Sequence, residues 1–303
     1  MVSLLLAIIY LAFISLGLPD SLLGSAWPVM RLDFGAELSF AGVLSMIIAG
    51  GTIVSSLLSE RLTRRFGTAL VTAMSVALTA AALFGFSVAP SLSVLCLLAV
   101  PYGLGAGAID AALNNYVALH YSARHMSWLH CFWGVGASVS PYIMSAALIR
   151  SGSWQNGYRA VSVIQIVLTA LIFLSLPLWR AREEGKEAED KEKRAPLGLR
   201  GALRIPGVPY ILLAFFAYCG AETTAGLWGS SFLVGARGVR PEIAARFASL
   251  FYLGITFGRF CNGFVADRAG DRKMIRIGAA VMAIGALLIL LPLPLIFPRS
   301  RGS

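Results

Sequence analysis

Apolar residues arrive in long runs along this chain, and short polar clusters separate them. The runs fall at about Leu4–Met30, Ser39–Leu58, Thr68–Val88, Leu92–Leu119, Trp128–Ile149, Tyr158–Trp179, Pro209–Val234, Ile243–Val265 and Met274–Phe297. Each is long enough for a helix, rising about 1.5 Å per residue, to cross a hydrocarbon core of about 30 Å. A backbone in lipid must satisfy its own hydrogen bonds, so each run predicts a helix. The pattern is that of an all-α polytopic membrane protein with about nine transmembrane helices. Gly17, Pro19, Gly24 and Pro28 interrupt the first run, which is expected to be kinked or locally unwound there.

Residues 180–208 form the only long polar stretch, with REEGKEAEDKEKR at its centre. Dense charge of both signs and little apolar content read as a solvated linker. It divides the chain into a six-helix N-terminal half (residues 1–179) and a C-terminal half of three helices (residues 209–303).

Composition agrees with a membrane protein. Hydrophobic residues make up 57% of the 303 and charged residues only 13%, about half the share of a soluble domain; the mean hydropathy is +0.77. The net charge of +10 could suggest nucleic acid, but the basic residues lie in short loops between apolar runs. With the N-terminus inside, the inner loops and linker hold 16 of the 25 Lys and Arg residues and the outer loops 8, with Arg259 inside a span. That bias orients the N-terminus and the linker toward the cytoplasm, in a plasma (inner) membrane, and excludes nucleic acid as a partner. Cys96, Cys131, Cys219 and Cys261 sit in or at the edge of apolar runs without a CxxC spacing, so neither disulfide nor zinc is indicated. No cofactor or metal is expected. A cleavable signal is not expected either, because the first run lacks a basic leader. The polar segments are too short to hold an active site, so the chain is not read as an enzyme.

The chemistry lies in polar residues within the spans. Pro101 to His120, PYGLGAGAIDAALNNYVALH, carries Asp110, Asn114 and Asn115 in an otherwise apolar run. On a helix, Gly103, Gly107, Asp110 and Asn114 share one face. The glycines admit a neighbouring helix, and the acid and amide look into whatever lies between. A carboxylate at that depth costs about 2.5–3.5 kcal/mol on insertion scales, so it normally faces an interior or a water-filled path. Asp20, in the irregular first span, and Glu222, in the seventh, are of the same kind. Asp110 and Asp20 are candidate proton carriers or, alternatively, structural acids; Glu222 is a candidate of the cavity or a partner for Arg259. His130 and Trp133 lie one turn apart at the start of the fifth span. They read either as a titratable ring beside a solute-stacking aromatic or as part of an interfacial belt.

An internal repeat is visible in the loops SLLSERLTRRF (Ser56 to Phe66) and GFVADRAGDRK (Gly263 to Lys273). Aligned on Glu60-Arg61 and Asp267-Arg268, they bring Arg64 and Arg65 beside Asp271 and Arg272. The second resembles the signature loop of the major facilitator superfamily, with Gly263, Asp267, Arg268, Gly270, Arg272 and Lys273 in place. The first departs from it, with Ser56, Glu60 and Thr63 at the first glycine, the aspartate and the second glycine. The resemblance implies a major-facilitator-type helical bundle. It also implies that Glu60, Arg61, Arg64, Arg65, Asp267, Arg268, Arg272 and Lys273 act as conformational latches while the halves move. GLPDSLLGSAWP in the first span, the acid in the fourth and WLHCFWGVGAS in the fifth resemble the fucose-permease-like sugar transporters most. In that group, acids of the first and fourth spans, here Asp20 and Asp110, are tied to proton coupling and sugar binding.

The resemblance thus implies a secondary transporter taking up a small polar solute, a sugar, with a proton by alternating access. Its partners would be solute, proton and lipid bilayer; the oligomeric state is left open. Two other readings stand beside it: an exporter of drugs or metabolites by proton antiport, and a truncated fragment, since the family has twelve spans and nine are counted here.

Overall fold

The computed structural model describes residues 2–179 and 198–291, and no strand occurs among them. The first span is two helices, α1 (Val2–Asp20) and α2 (Leu22–Asp33), broken at Ser21 directly after Asp20. The first half continues with α3 (Phe40–Phe66), α4 (Thr68–Val88), α5 (Leu92–His120), α6 (Ala123–Ser151) and α7 (Trp154–Leu174). A short α8 (Gly198–Leu203) lies within the stretch expected as linker, followed by α9 (Val208–Arg237), α10 (Pro241–Ala269) and α11 (Asp271–Leu290). Among the described residues, eight helical segments are long and apolar enough to cross a membrane, with α1 and α2 counted together. Their ninth companion, α10, has the length at 29 residues but carries Glu242, Arg246, Arg259 and Arg268. Each apolar run is therefore helical over most of its described residues, the end of the ninth, 292–297, lying outside them, and several helices extend into the flanking polar residues.

The repeat is present, with a changed register. Gly67 joins α3 to α4 at φ 80° and ψ 153°, and Gly270 joins α10 to α11 at φ 80° and ψ 145°. Both are conformations that only glycine adopts without strain. The counterpart of Gly270 is thus Gly67 and not Thr63, because α3 runs one helical turn further past its acid-arginine pair before the chain turns.

The spans alternate in direction, so the bundle has a linker end, where α1 begins and where Trp179 and Gly198 border residues 180–197, which lie outside the described residues, and an opposite end. Small residues set the packing within the first half. A Cβ on Gly103 would lie 2.1 Å from the Ile48 carbonyl oxygen, and one on Gly107 2.2 Å from that of Thr52. Thus α3 and α5 meet backbone to backbone, as the spacing of those glycines predicted. Helix α4 fills the space between α5 and α7, and α1 lies along α6. One apolar core at the linker end includes Leu5, Ile9, Phe13, Leu113, Tyr116 and Trp179. A second at the opposite end gathers Leu22, Trp27, Met30, Leu44, Phe86, Trp154 and Tyr158.

The halves meet along two seams. Helices α6 and α10 run antiparallel, joined by the Ser145 hydroxyl to the Glu242 carbonyl at 2.8 Å, Arg246 Nε to Ser145 Oγ at 3.1 Å, and the Ser249 hydroxyl to the Ser138 carbonyl. Toward the linker end, Cys131 faces the Thr256 carbonyl at 3.7 Å. Helix α2 meets α9 where a Cβ on Gly24 would lie 2.1 Å from the Gly226 carbonyl oxygen. That contact closes the opposite end. At the linker end α9 stands away from the bundle, with residues 209–218 all exposed. Helix α11 packs lightly against α10 and accepts hydrogen bonds from Arg237 at the Ile289 and Leu291 carbonyls.

Candidate functional site: a charged cluster between the halves

Asp20 is the last residue of α1, and the break that follows it leaves its carboxylate facing the space between the halves. Its Oδ2 accepts the Trp133 indole N–H at 2.8 Å, and its Oδ1 the Tyr102 hydroxyl at 3.5 Å. Asp110, on α5, accepts at Oδ1 from the Asn114 amide at 2.9 Å, and the same nitrogen reaches the Asp110 carbonyl at 3.0 Å. The i, i+4 spacing makes this bond, because a helix stacks those two positions. Glu222, on α9, meets Arg259, on α10, at 3.4 Å. Arg259 also donates to the Tyr218 hydroxyl at 3.2 Å and to the His130 carbonyl at 3.4 Å. Its guanidinium carbon stands 4.6 Å from the centre of the Trp133 ring, a cation–π distance. Asp110 and Glu222 are both near enough to Asp20 for like charges to repel.

Three of the cavity residues expected from the sequence, Asp20, Trp133 and Glu222, are therefore linked through Arg259, and two more, Asp110 and Asn114, form a bonded pair on α5. His130 is there too, its ring edge-on to Phe13 at 5.6 Å and its carbonyl held by Arg259. Asn115 is not: it is exposed and turned about 100° around α5 from Asn114. A cavity of about 340 Å³ opens beside the cluster, lined by His130, Tyr218, Glu222, Arg259 and Asn262 on its polar side and by Met126 and Phe215 on its apolar side. These lining residues lie in the linker-end halves of α6, α9 and α10, so the space opens toward that end.

Sequence reasoning missed three members. Tyr102 and Tyr218 bond the acids or their arginine, and Tyr252 stands edge-on to Trp133 at 6.1 Å. The available signal was a tyrosine hydroxyl deep in an apolar run, which needs a partner there. The contact of Arg259 with Trp133 joins residues 126 positions apart, and no local pattern announces it. Outside the cluster, the Trp27 indole N–H donates to the Leu38 carbonyl at 2.9 Å, and Gln165 is buried with its amide on the Ser15 carbonyl at 2.6 Å.

The residues of the two matching loops sit at the linker end. Glu60 pairs with Arg64 of its own helix at 2.7 Å, and Arg65 stacks over Phe66 at 5.3 Å. Arg61, Arg268, Arg272 and Lys273 are exposed. The side chains of Asp267 and Asp271 lie outside the described residues.

Comparison with known proteins places this arrangement. The chain is 25% identical over 277 residues to Bypass of stop codon protein 6 of Saccharomyces cerevisiae, covering 84% of this chain and 56% of that protein. It is 22% identical over 295 residues to the Glucose/mannose transporter GlcP of Bacillus subtilis, covering 91% and 69%. The chain thus spans little more than half the length of the first relative and about two thirds of the second. Its fold is similar to the crystal structure of a D-xylose-proton symporter, with a TM-score of 0.68 at 15% identity over 94% of this chain and 73% of that one. The model of the Major Facilitator Superfamily matches residues 9–298. With that match over nearly its whole length and with its bundle of membrane-spanning helices, the chain belongs to the major facilitator superfamily.

Proposed function

We propose that this protein carries a small, uncharged polar solute of sugar size across the membrane together with a proton, by alternating access. The observation that carries the reading is the run of contacts from Asp20 through Trp133 and Arg259 to Glu222, which joins both halves beside a cavity lined by Glu222 and Arg259. Glu222 is ion-paired with Arg259 while Asp20 and Asp110 are held by neutral donors, so the cluster carries more negative than positive charge. Such a site repels an anionic solute and is relieved by taking up protons. The cavity volume of about 340 Å³ lies at the low end of small-molecule sites, roughly 300–1,000 Å³. Phe215 and Tyr218 supply flat rings and Glu222 supplies an acceptor in the cavity lining, a combination that suits the apolar faces and hydroxyls of a sugar.

In this mechanism Asp20 and Asp110 accept the proton and orient the solute, while Glu222 and Arg259 tie the second half to the loaded site. The contacts at Gly24–Gly226 and Ser145–Glu242 close one end, and the cavity opens at the other. With the N-terminus and linker in the cytoplasm this is an inward-open state, and the outward-open state requires those far-end contacts to part. Glu60, Arg61, Arg64 and Arg65, with Asp267, Arg268, Arg272 and Lys273, exchange partners at the linker end as the halves rock. The apolar side of the cavity, Met126 and Phe215, favours a second reading, proton antiport of an amphipathic solute.

Proton movement in de-energised cells, with sugars added one at a time, separates these readings. Alkalinisation of the medium by one sugar, lost in Asp110→Asn while downhill solute exchange persists, is the expected result. Concentrative uptake that survives Asp110→Asn removes Asp110 from the coupling step. Acidification on adding an amphipathic dye supports antiport in place of symport.

A further inference from the structure

We propose that Trp133 is a positioning residue that couples the charge state of Asp20 in the first half to the Glu222–Arg259 pair in the second. The inference rests on the reading of Asp20 as a proton-carrying acid. The indole has two separate handles. Its edge donates to Asp20 Oδ2 at 2.8 Å, and its face lies 4.6 Å beneath the Arg259 guanidinium. No other residue of the cluster touches an acid of one half with its edge and the cation of the other half with its face.

The backbone at this point is pinned from both sides. A Cβ on Gly17 would lie 2.0 Å from the Trp133 carbonyl oxygen, so α1 abuts α6 there. One residue on, a Cβ on Gly134 would lie 2.2 Å from Thr256 Oγ1, so α10 abuts the same turn. The main chain at Trp133 is therefore fixed between the two halves, and the freedom left is that of the ring. Both bonds of the ring are electrostatic. A hydrogen bond to an ionised carboxylate is roughly twice as strong as one to a neutral acid. When a proton from the cavity adds to the Asp20 carboxylate, the indole loses that advantage and can turn, withdrawing the platform beneath Arg259. The guanidinium then rests on Glu222, Tyr218 and the His130 carbonyl, and the tie between the halves loosens. The charged and titratable groups around this contact are Tyr102 and Asp110 from α5, His130 and Cys131 from α6, Tyr218, Cys219 and Glu222 from α9, and Tyr252 and Arg259 from α10. Of these, Tyr102 shares Asp20 through its other oxygen, so Asp20 keeps one partner when the indole leaves.

The test uses the full chain with Trp133→Phe, which keeps a ring face for Arg259 but lacks the N–H, and Trp133→His, which restores a donor. In proteoliposomes, Trp133→Phe is expected to keep solute exchange within about twofold while proton-driven accumulation falls ~10-fold or more and its pH profile flattens. Trp133→His recovers part of the accumulation. Independently of transport, the emission contributed by Trp133, taken as wild type minus Trp133→Phe, should change along a pH titration, and that change should vanish in Asp20→Asn. Accumulation and pH profile unchanged in Trp133→Phe overturn the proposal, as does an emission change that persists in Asp20→Asn. If the chain moves no solute with protons but the Asp20-dependent emission change remains, the link stands and the transport reading fails.

Discussion

Asp20, Asp110, Glu222 and Arg259 are each costly in an apolar setting, and the structure shows how they are accommodated. Every acid has a hydrogen-bond donor within 3.5 Å: Trp133 and Tyr102 for Asp20, Asn114 for Asp110, Arg259 for Glu222. The side chains of Arg259 and Glu222 are 23% and 16% exposed, so water screens the pair only in part. Removing one partner of such a pair costs more than removing both, because the survivor is left with unbalanced charge. Arg259→Leu is accordingly expected to lower the apparent Tm in detergent more than the double variant Arg259→Leu/Glu222→Leu, since Glu222 alone would face Asp20 and Asp110. With Glu222→Leu as the remaining corner of the double-mutant cycle, additive losses would mean the two side chains are not coupled. The presence of charge at these depths was legible from the sequence, because one acid in a run of apolar residues is conspicuous. Their partners were legible only where they were local: Asn114 lies one turn from Asp110, whereas Trp133 reaches Asp20 across 113 positions.

At the level of elements, glycines decide where helices touch. Gly103 and Gly107 hold α3 against α5, and Gly24 with Gly226 holds α2 against α9. The first contact lies within a half and the second between halves, so substitutions should have different consequences. Gly107→Leu is expected to reduce the amount of folded protein in the membrane, measured by size-exclusion recovery, because α3 cannot retreat from α5 without losing the Ser56-to-Gly107 hydrogen bond. Gly24→Leu should leave folding intact and open the far end. A cysteine at Ser145, a position 1% exposed, reports this: its labelling by a membrane-impermeant thiol reagent should rise ~10-fold or more when Gly24→Leu is added. Unchanged labelling would show that α2 and α9 do not close that end. The turn glycines Gly67 and Gly270 carry the same lesson. Sequence matching by residue type set Thr63 opposite Gly270, while the backbone conformation selects Gly67, because φ near 80° discriminates glycine more sharply than side-chain similarity does.

For the whole molecule, burial is uneven. The described part of α4 is well buried, but only Gly226, Ser230 and Ser231 are buried in α9, and no apolar residue of α11 is buried. Amide exchange in detergent should therefore be slowest in α4 and α5 and fastest in α11, since local opening costs least where few apolar contacts hold a helix; uniform protection across the bundle would contradict this. The exposed apolar faces, among them Val43, Met46, Ile53 and Leu57 on α3 and Leu213 and Phe216 on α9, are compatible with lipid, which is as apolar as those side chains.

What the sequence determined by itself was the class and the ingredients. Runs of about 20 apolar residues can only be satisfied as helices in a bilayer, and the signature loop names the family; each of these is local information. What only the tertiary structure decided was which polar residues meet. That depends on where α1 breaks, how closely glycines let α5 and α9 approach their neighbours, and which turn of α6 faces α10. Asn114 and Asn115 are adjacent in the chain, yet one bonds Asp110 and the other points away. Arg259, noted in the sequence as a partner for Glu222 alone, became the centre of the cluster because a helix face is chosen by packing between distant segments, a sum over contacts that no single stretch of residues contains.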